Sequence, residues 1–239
     1  MEIEGVVNRA HLLRHLADLI AAVDQPCPVR VAIDGVDAAG KTRLADELVM
    51  PLEDRSRVVI RASIDSFYRP RAERYRRGPD SPEGYFYDSF DYVALRELLL
   101  DPLGPGGDRQ FRVASFDTEL DEAIDDRLRH APVDSVLLFD GVFLMRPELE
   151  DCWDFRVFVD VDFEEAIRRA VQRDQPLFDT EDSTLERYWT RYVAAQRLYI
   201  ETARPLDQAD AIVVNQDPAH PRLIVPYPPQ AESLTSGEE

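Results

Sequence analysis

Residues 30–49 read RVAIDGVDAAGKTRLADELV, and this stretch decides the fold. A short apolar strand, Val31 to Ile33, leads into a loop that matches G-x-x-x-x-G-K-[ST], and a helical pattern of apolar residues follows. The glycines of the loop let successive backbone N–H groups point inward at phosphate oxygens, and the helix adds the positive end of its dipole. The stretch therefore predicts a phosphate-binding loop (P-loop) between a strand and a helix.

The P-loop supplies the predicted nucleotide-binding residues. We expect the Lys41 ammonium to reach the β- and γ-phosphates and the Thr42 hydroxyl to ligate Mg²⁺. Lys41 is the only lysine among the 28 Lys and Arg residues, and a compact ammonium fits between phosphates where a forked guanidinium does not. The predicted binding residues for ATP with Mg²⁺ are Gly35, Val36, Asp37, Ala38, Ala39, Gly40, Lys41, Thr42 and Arg43.

The composition limits the class of protein and of partner. The chain has 239 residues and 44% hydrophobic residues, which suits one α/β domain with a packed core. Its net charge of −19, from 47 acidic and 28 basic residues, argues against a nucleic acid or an anionic membrane as partner. A small-molecule substrate is expected instead, and a homo-oligomer through residues 7–23 stays open.

The predicted location is the cytoplasm. The N-terminal sequence MEIEGVVNRA is acidic and lacks the basic flank and apolar centre of a secretion signal. Apolar runs fall short of the ~20 residues that cross a bilayer. Cys27 and Cys152 lie far apart without metal-ligand spacing, so they are expected to be buried free thiols.

The order of elements predicts an α/β fold with a lid. Strands are expected at Val31 to Ile33, Arg57 to Ile64, Val136 to Phe139, Arg156 to Val161 and Asp210 to Asn215. Helices are expected at residues 7–23 with Asn8 as cap, after the P-loop with Pro51 as stop, at Tyr92 to Leu100, at Phe163 to Arg173, and from the capping box at Ser183 to Ala203. Residues 1–225 form the predicted domain, with a lid at about 174–187, and residues 226–239 a mobile tail.

Two aspartates directly follow predicted strands. Ligands of open α/β sheets lie beyond the carboxyl ends of the strands, so such acids are well placed for chemistry. Asp65 is the candidate base for a substrate hydroxyl, with a helix or turn cap as the alternative. Asp140 ends an apolar strand in the manner of a Walker B element and is the second candidate Mg²⁺ ligand beside Thr42.

Arginines and aromatic residues mark a candidate acceptor site. Residues 69–90 are rich in both and show no helical or strand period, so we interpret them as a substrate-covering loop or a surface loop held by its tyrosines. Phe116 and Asp117 are candidate ligand contacts in an extended pair, although packing is the simpler explanation. Arg169, Arg173, Arg187 and Arg191 are candidates for a cationic clamp, with solvated helix faces as the alternative.

With these residues assembled, the chain resembles the uridine kinase family of P-loop kinases, and most closely its actinobacterial uridine kinase-like members. The resemblance runs from Val31 to about Leu223. Its carriers are GVDAAGKT at 35–42, DSFYR at 65–69, GPDSPEGYFYDSFD at 78–91, PLGPGG at 102–107, DGVFLMRPEL at 140–149, RD at 173–174, and QRLYI with ADAIVVN further on.

The resemblance implies a five-stranded parallel sheet between helices, a lid, and ATP-dependent phosphorylation of a nucleoside 5′-hydroxyl. Asp65 and Tyr68 match the family motif that holds the catalytic carboxylate. Asp88 resembles the carboxylate that holds the ribose hydroxyls. Phe116 and Asp117 fall where the family has a Tyr-Asp pair near the base, and Arg173 matches an arginine that leads into the lid.

The chain departs from the family at two places. Residues 175–182 read QPLFDTED and lack the R-G-R cluster of the lid, and residues 118–121 read TELD and lack the base-recognising histidine. Arg187 and Arg191 are therefore proposed to take over the lid chemistry. The alternatives are a kinase of the same fold for another alcohol, such as pantothenate, a sugar phosphate or a secondary metabolite, and a non-catalytic nucleotide-binding regulator.

Overall fold

A six-stranded sheet forms the centre of the protein, of which the computed structural model describes residues 8–174 and 185–226. The strands are β1 Val29–Gly35, β2 Val59–Ser63, β3 Val136–Asp140, β4 Phe155–Asp160, β5 Ala211–Val214 and β6 Arg222–Ile224. Their order across the sheet is β6-β5-β4-β1-β3-β2, and only β6 runs antiparallel to its neighbour. The five predicted parallel strands are confirmed, and β6 is an additional edge strand.

The strand register aligns the ends of three neighbouring strands. Asp140 at the end of β3 pairs with Ile33 of β1 on one side and with Ser63 of β2 on the other. Because parallel strands present their carboxyl ends at the same edge, the segments that follow β1, β2 and β3 emerge side by side. This register brings the P-loop, Asp65 and Asp140 together.

Helices cover both faces of the sheet. They are α1 Arg9–Ala21, α2 Lys41–Glu53, α3 Pro82–Asp88, α4 at residues 92–103, α5 Phe163–Asp174, and α6, described over residues 185–203. Leu138 of β3 packs in one core cluster with Leu16 and Leu44, whereas its neighbour Phe139 packs in the other with Leu99 and Tyr199. Alternate residues of a strand point to opposite faces, so the fold is a three-layer α/β sandwich.

The structure corrects two predictions about helix positions. Pro51 does not stop α2 but lies inside its last turn, where the backbone N–H of Asp54 still donates to the Met50 carbonyl at 2.9 Å. The segment 69–90 is not an irregular loop throughout, because it contains α3. The Ser81 hydroxyl caps α3 by accepting from the Gly84 N–H at 3.0 Å, and Pro82 fills the first helical position.

Three other predictions can be compared with the structure. Asn8 caps α1 as expected, through a 2.9 Å bond from the His11 N–H to its side chain. The predicted lid lies largely outside the described residues, since 175–184 are not among them, and so does the predicted tail from residue 227 onward. Within residues 8–174 and 185–226, every helix is too short or too polar to cross a bilayer.

A buried carboxylate joins the P-loop strand to its neighbours. Asp34 of β1 is fully buried, and its carboxylate accepts from the backbone N–H groups of Gly35 at 2.6 Å, Leu144 at 3.0 Å and Met145 at 3.2 Å. The Tyr199 hydroxyl of α6 donates to the same carboxylate. Burial raises the pKa of Asp34 to about 6, and these donors oppose the rise.

We expect Tyr199→Phe to destabilise the fold by about 1–3 kcal/mol near pH 8, because it removes one donor from a buried, ionised carboxylate. A carboxyl pKa that is raised on folding favours the folded state at low pH, and this contribution is lost as the pH rises from 3.8 through about 6. The loss should therefore shrink at pH 5, where Asp34 is largely protonated. Urea unfolding at the two pH values measures it, and an equal loss at both would contradict this role of Tyr199.

Candidate active site

The P-loop adopts a conformation that only its glycines permit. Gly40 has a φ of 95°, and a Cβ on Gly35 would lie 2.4 Å from the Val159 carbonyl oxygen. No side chain caps the start of α2 at Gly40, so its first N–H groups remain available to an anion. Asn215, which follows β5, holds the loop by donating to the Ala39 carbonyl at 2.7 Å. The loop is therefore preformed for phosphate.

Lys41 is anchored within the same loop. Its ammonium donates to the Val36 carbonyl at 2.7 Å, and the side chain lines a cleft of about 420 Å³ above the carboxyl ends of the strands. Only 8% of Lys41 is exposed. An ammonium in such a site is little screened by water, so its attraction for phosphate oxygens is strong.

Thr42 and Asp140 meet at the floor of the cleft. The Thr42 hydroxyl donates to the Asp140 carboxylate at 2.6 Å. A hydroxyl and a carboxylate side by side at a phosphate site match the oxygen ligands that Mg²⁺ prefers. The described part of the chain holds no group of three His, Cys, Asp or Glu side chains arranged for a metal, but a P-loop Mg²⁺ needs fewer protein ligands because phosphates supply the rest.

Arg61 is a neighbour of Asp140 that the sequence did not reveal. It lies on β2, and its guanidinium donates to Asp140 at 2.8 Å and to Asp46 of α2 at 3.0 Å. The bond from Arg61 fixes one oxygen of the Asp140 carboxylate, and the other oxygen accepts from the Thr42 hydroxyl. No sequence pattern marks Arg61, because its contact depends on the register between β2 and β3.

Asp65 lies in a short 3₁₀ turn that follows β2. Ser63 caps this turn by accepting from the Asp65 N–H, so the side chain of Asp65 is not needed as the cap and lines the cleft instead. Burial raises the pKa of Asp65, an effect that nearby Asp140 reinforces and that Lys41, the Tyr68 hydroxyl and Arg173 oppose. A carboxylate with a raised pKa in a cleft is a candidate general base.

Tyrosines form the wall of the cleft opposite the strands. They are Tyr68, Tyr85, Tyr188 and Tyr192. Tyr192 packs edge-on against Tyr85 with ring centroids 4.9 Å apart, and against Tyr188 at 5.0 Å. Burial raises the pKa of Tyr68 and Tyr85 well above 10, so both hydroxyls stay protonated at neutral pH. The wall offers flat apolar faces and neutral hydrogen-bond donors.

The structure gathers most of the predicted site residues around this cleft. Those that line it are Asp37, Ala38, Gly40, Lys41, Thr42, Arg43, Asp65, Tyr68, Asp140, Arg169 and Arg173. Gly35, Val36 and Ala39 contribute the P-loop backbone. Tyr85, Tyr188 and Tyr192 were missed, because their common position depends on how α3 and α6 pack together rather than on spacing along the chain.

Three predicted acceptor residues do not line the cleft. Asp88 is buried and pairs with Arg77 at 2.6 Å and with Arg76 at 3.5 Å. Phe116 is buried in a short hairpin whose two strands have two residues each. Asp117 stabilises the turn of this hairpin by accepting from the N–H groups of residues 119 and 120 at 2.9 and 3.0 Å. Their roles toward a ligand stay predictions.

The four predicted arginines divide into two pairs. Arg169 lines the cleft and is held by Glu165 at 2.7 Å, and Arg173 lines it near Asp37 and Asp65. Arg187 and Arg191 are absent from the lining. The Arg191 guanidinium is buried 4.8 Å from the Tyr75 ring centroid and donates to the Pro79 carbonyl, which holds the segment that precedes α3.

Comparison with known proteins supports a kinase fold. No family model matches the chain. The uridine-cytidine kinase B of Dictyostelium discoideum is 30% identical over 148 residues, which are 62% of this chain and 58% of that protein. A chloroplastic uridine/cytidine kinase of Arabidopsis thaliana is 26% identical over 176 residues, or 70% of this chain and 35% of that protein. The chain thus spans less than two thirds of the length of these two relatives.

The chain matches a larger share of a bacterial relative than of these two proteins. The uridine kinase of Clostridium botulinum is 26% identical over 184 residues, which are 74% of this chain and 84% of that protein.

Solved structures share the architecture. A protein described as a possible uridine kinase from Bacillus stearothermophilus gives a TM-score of 0.65 at 24% identity, covering 84% of this chain and 96% of its own. The D-glycerate 3-kinase of Cryptococcus neoformans gives 0.56 at 13% identity, covering 81% and 88%. Phosphoribulokinase from Rhodobacter spheroides gives 0.55 at 13% identity, covering 80% and 70%. The chain is thus similar in sequence to uridine kinases and has the fold of the P-loop kinases.

Proposed function

We propose that this protein is an ATP- and Mg²⁺-dependent kinase that transfers the γ-phosphoryl group to a hydroxyl of a small molecule. The observation that carries the proposal is the meeting of three groups in one cleft: the P-loop with Lys41, the Thr42–Asp140 pair, and the Asp65 carboxylate. A nucleotide-binding module needs the first two, whereas phosphoryl transfer to a hydroxyl also uses a carboxylate beside them to take the proton of that hydroxyl.

Each residue of the site has its own role in the proposed phosphoryl transfer. The P-loop N–H groups and Lys41 neutralise charge on the β- and γ-phosphates. Asp65 orients the acceptor hydroxyl and takes its proton as the hydroxyl oxygen bonds to the γ-phosphorus and the bond to the β,γ-bridging oxygen breaks, which releases ADP. Arg173 neutralises charge on the phosphoryl group in transfer. Thr42 and Asp140 would hold Mg²⁺, which when bound supplies further charge neutralisation at the phosphates.

The first-choice acceptor is the 5′-hydroxyl of a pyrimidine nucleoside. The names of the Dictyostelium, Arabidopsis and Clostridium relatives support this choice. The tyrosine wall suits a flat ring, since aromatic side chains stack on planar ligands. The action of the enzyme in the cytoplasm stays a prediction from the sequence.

A second candidate is a kinase for another alcohol. It is favoured by Asp88, because the carboxylate expected to hold ribose hydroxyls is paired with Arg76 and Arg77 and does not line the cleft. Neighbours of the same fold bear names of kinases for D-glycerate and for a phosphorylated sugar.

An acceptor panel tests the two candidates. ADP formation from Mg-ATP is measured with uridine, cytidine and other nucleosides beside pantothenate and ribulose 5-phosphate. Turnover on a pyrimidine nucleoside supports the first choice, and turnover on another alcohol alone replaces it with the second candidate. Failure of every acceptor, with ATP still bound, would contradict the kinase proposal and favour a nucleotide-binding regulator.

The arginine substitutions test the proposed lid chemistry. Arg173→Ala should lower kcat by about 10²-fold, since its guanidinium lines the cleft and lies close enough to Asp65 to lower the pKa of that carboxyl. Arg187→Ala and Arg191→Ala should each lower kcat by about 10-fold if these residues replace the missing R-G-R cluster. Arg197→Ala, on an exposed position of α6, is the matched control.

Thermal unfolding of each arginine variant separates a loss of rate from a loss of stability, which matters for the buried Arg191. Unchanged rates in both Arg187→Ala and Arg191→Ala would rule out their share in the lid chemistry.

A further inference from the structure

Asp37 places a second carboxylate in the cleft. It occupies a variable position of the P-loop, where the sequence assigns only the backbone to phosphate. Its side chain lines the cleft together with Asp65, Tyr68 and Tyr85. A carboxylate turned toward the γ-phosphate would be repelled, so its direction within the cleft determines what it can bind.

Two neighbours from α6 and α3 hold the Asp37 side chain in place. The buried Gln196 of α6 donates its amide to Oδ2 at 2.5 Å, and the Tyr85 hydroxyl lies 3.3 Å from the same oxygen. Burial raises the pKa of Asp37 and nearby Asp65 adds to the rise, whereas Lys41 and Arg173 oppose it. The Asp37 carboxylate thus belongs to the group of side chains around the candidate base.

One oxygen of Asp37 keeps room for a further donor. Among residues 8–174 and 185–226, Oδ1 has the Tyr85 hydroxyl at 3.4 Å as its hydrogen-bond partner, a long contact shared with Oδ2. A carboxylate oxygen accepts about two hydrogen bonds. The hydroxyls of Tyr68 and Tyr85 remain protonated, so neither carries a negative charge that would compete with Asp37 for a hydrogen-bond donor.

We propose that Asp37 is an acceptor-binding residue whose Oδ1 takes a hydrogen bond from a second hydroxyl of a polyhydroxylated acceptor, while Asp65 takes the hydroxyl that is phosphorylated. The inference rests on the proposed kinase function and narrows its substrate class to alcohols that carry another hydroxyl within a few bonds of the reacting one. Simple mono-alcohols would leave the Asp37 oxygen unpaired in the closed site, at a cost in transition-state binding.

A cycle of substitutions and deoxygenated acceptors tests this assignment. The acceptor found by the panel is compared with its singly deoxygenated analogues, which for uridine are 2′-deoxyuridine and 3′-deoxyuridine. In the unmodified protein, kcat/KM should fall about 10- to 100-fold for one of the analogues. Asp37→Ala should lose a similar factor on the parent acceptor and then treat parent and analogue alike, and Asp37→Asn should be intermediate.

Two controls separate acceptor binding from a structural role. Gln196→Ala removes the amide partner of Asp37 without removing the carboxylate, so it should lower kcat/KM on the parent acceptor less than Asp37→Ala does and should still favour the parent over the analogue. The dissociation constant of Mg-ADP, measured by calorimetry, should change less than about 3-fold in Asp37→Ala, because the P-loop backbone remains.

The outcomes are distinct. Equal losses on the parent and on every analogue in Asp37→Ala, or a large loss of Mg-ADP binding, would overturn the role of Asp37 and leave the kinase function standing. Absence of phosphoryl transfer to any alcohol by the unmodified protein would overturn both proposals.

Discussion

Asp65→Asn is expected to lower kcat by about 10³-fold while leaving Mg-ATP binding within a few-fold of the unmodified protein. The amide is nearly the same size as the carboxylate but cannot take the proton of the acceptor hydroxyl, and a positioned general base contributes 10²- to 10⁴-fold. Steady-state kinetics on the identified acceptor give kcat, and calorimetry gives ATP affinity. Asp54→Asn, on an exposed position at the end of α2, is the matched control.

The pH profile of kcat/KM adds a test of the same residue. Asp65 must be ionised to accept the proton, and its pKa is raised above the ordinary 3.8 by burial. Activity should therefore fall as the pH drops through this raised pKa, at a higher pH than an aspartate with the ordinary pKa of 3.8 would give. The residual activity of Asp65→Asn should lack this acid limb. An unchanged limb in the variant, or a loss of kcat below 5-fold, would contradict the assignment of Asp65 as base.

Lys41→Ala is expected to lower kcat/KM for ATP by about 10³-fold. The ammonium is little exposed and lines the cleft. In the proposed reaction it neutralises phosphate charge that develops on transfer, and removal of one such group costs about 10²- to 10³-fold in rate. The more telling variant is Lys41→Arg, because every other basic position among the 28 Lys and Arg residues is already arginine.

We expect Lys41→Arg to stay at least 10²-fold below the unmodified protein, since the guanidinium is too wide to lie between the phosphates while the P-loop keeps its shape. Arg14→Ala, at an exposed position of α1 outside the cleft lining, serves as the control and should lose little. Full activity in Lys41→Arg would show that charge alone matters at this position, which contradicts the geometric argument.

The parts of the site that follow strand ends could be predicted from sequence. The P-loop has four fixed residue types, and Asp65 and Asp140 each follow an apolar stretch. Because parallel strands share one carboxyl edge, knowing that β1, β2 and β3 are parallel is enough to place these residues together. The apolar stretches also gave the five strands, and the helical spacing of residues 7–23 gave α1 with its cap at Asn8.

The parts of the site that depend on packing between distant segments could not be predicted from the sequence. The tyrosine wall combines Tyr85 of α3 with Tyr188 and Tyr192 of α6, about a hundred residues later in the chain, and no period in the sequence joins them. The motif match identified Asp88 as a ligand-binding carboxylate, but it could not show that Arg77 of the same segment forms an ion pair with it. Ser81-Pro82 is a sequence signal for the start of α3, but residues 69–90 show no helical period that would support it.

The central claim is phosphoryl transfer to a hydroxyl, and mass spectrometry of the acceptor tests it most directly. The unmodified protein is incubated with Mg-ATP and the active compound from the panel, beside Asp65→Asn. We predict an acceptor heavier by one phosphoryl group in equal amount to the ADP formed, and almost none with Asp65→Asn although that variant binds ATP. ADP that appears with inorganic phosphate and no phosphorylated acceptor, at the same rate in both proteins, would contradict the claim.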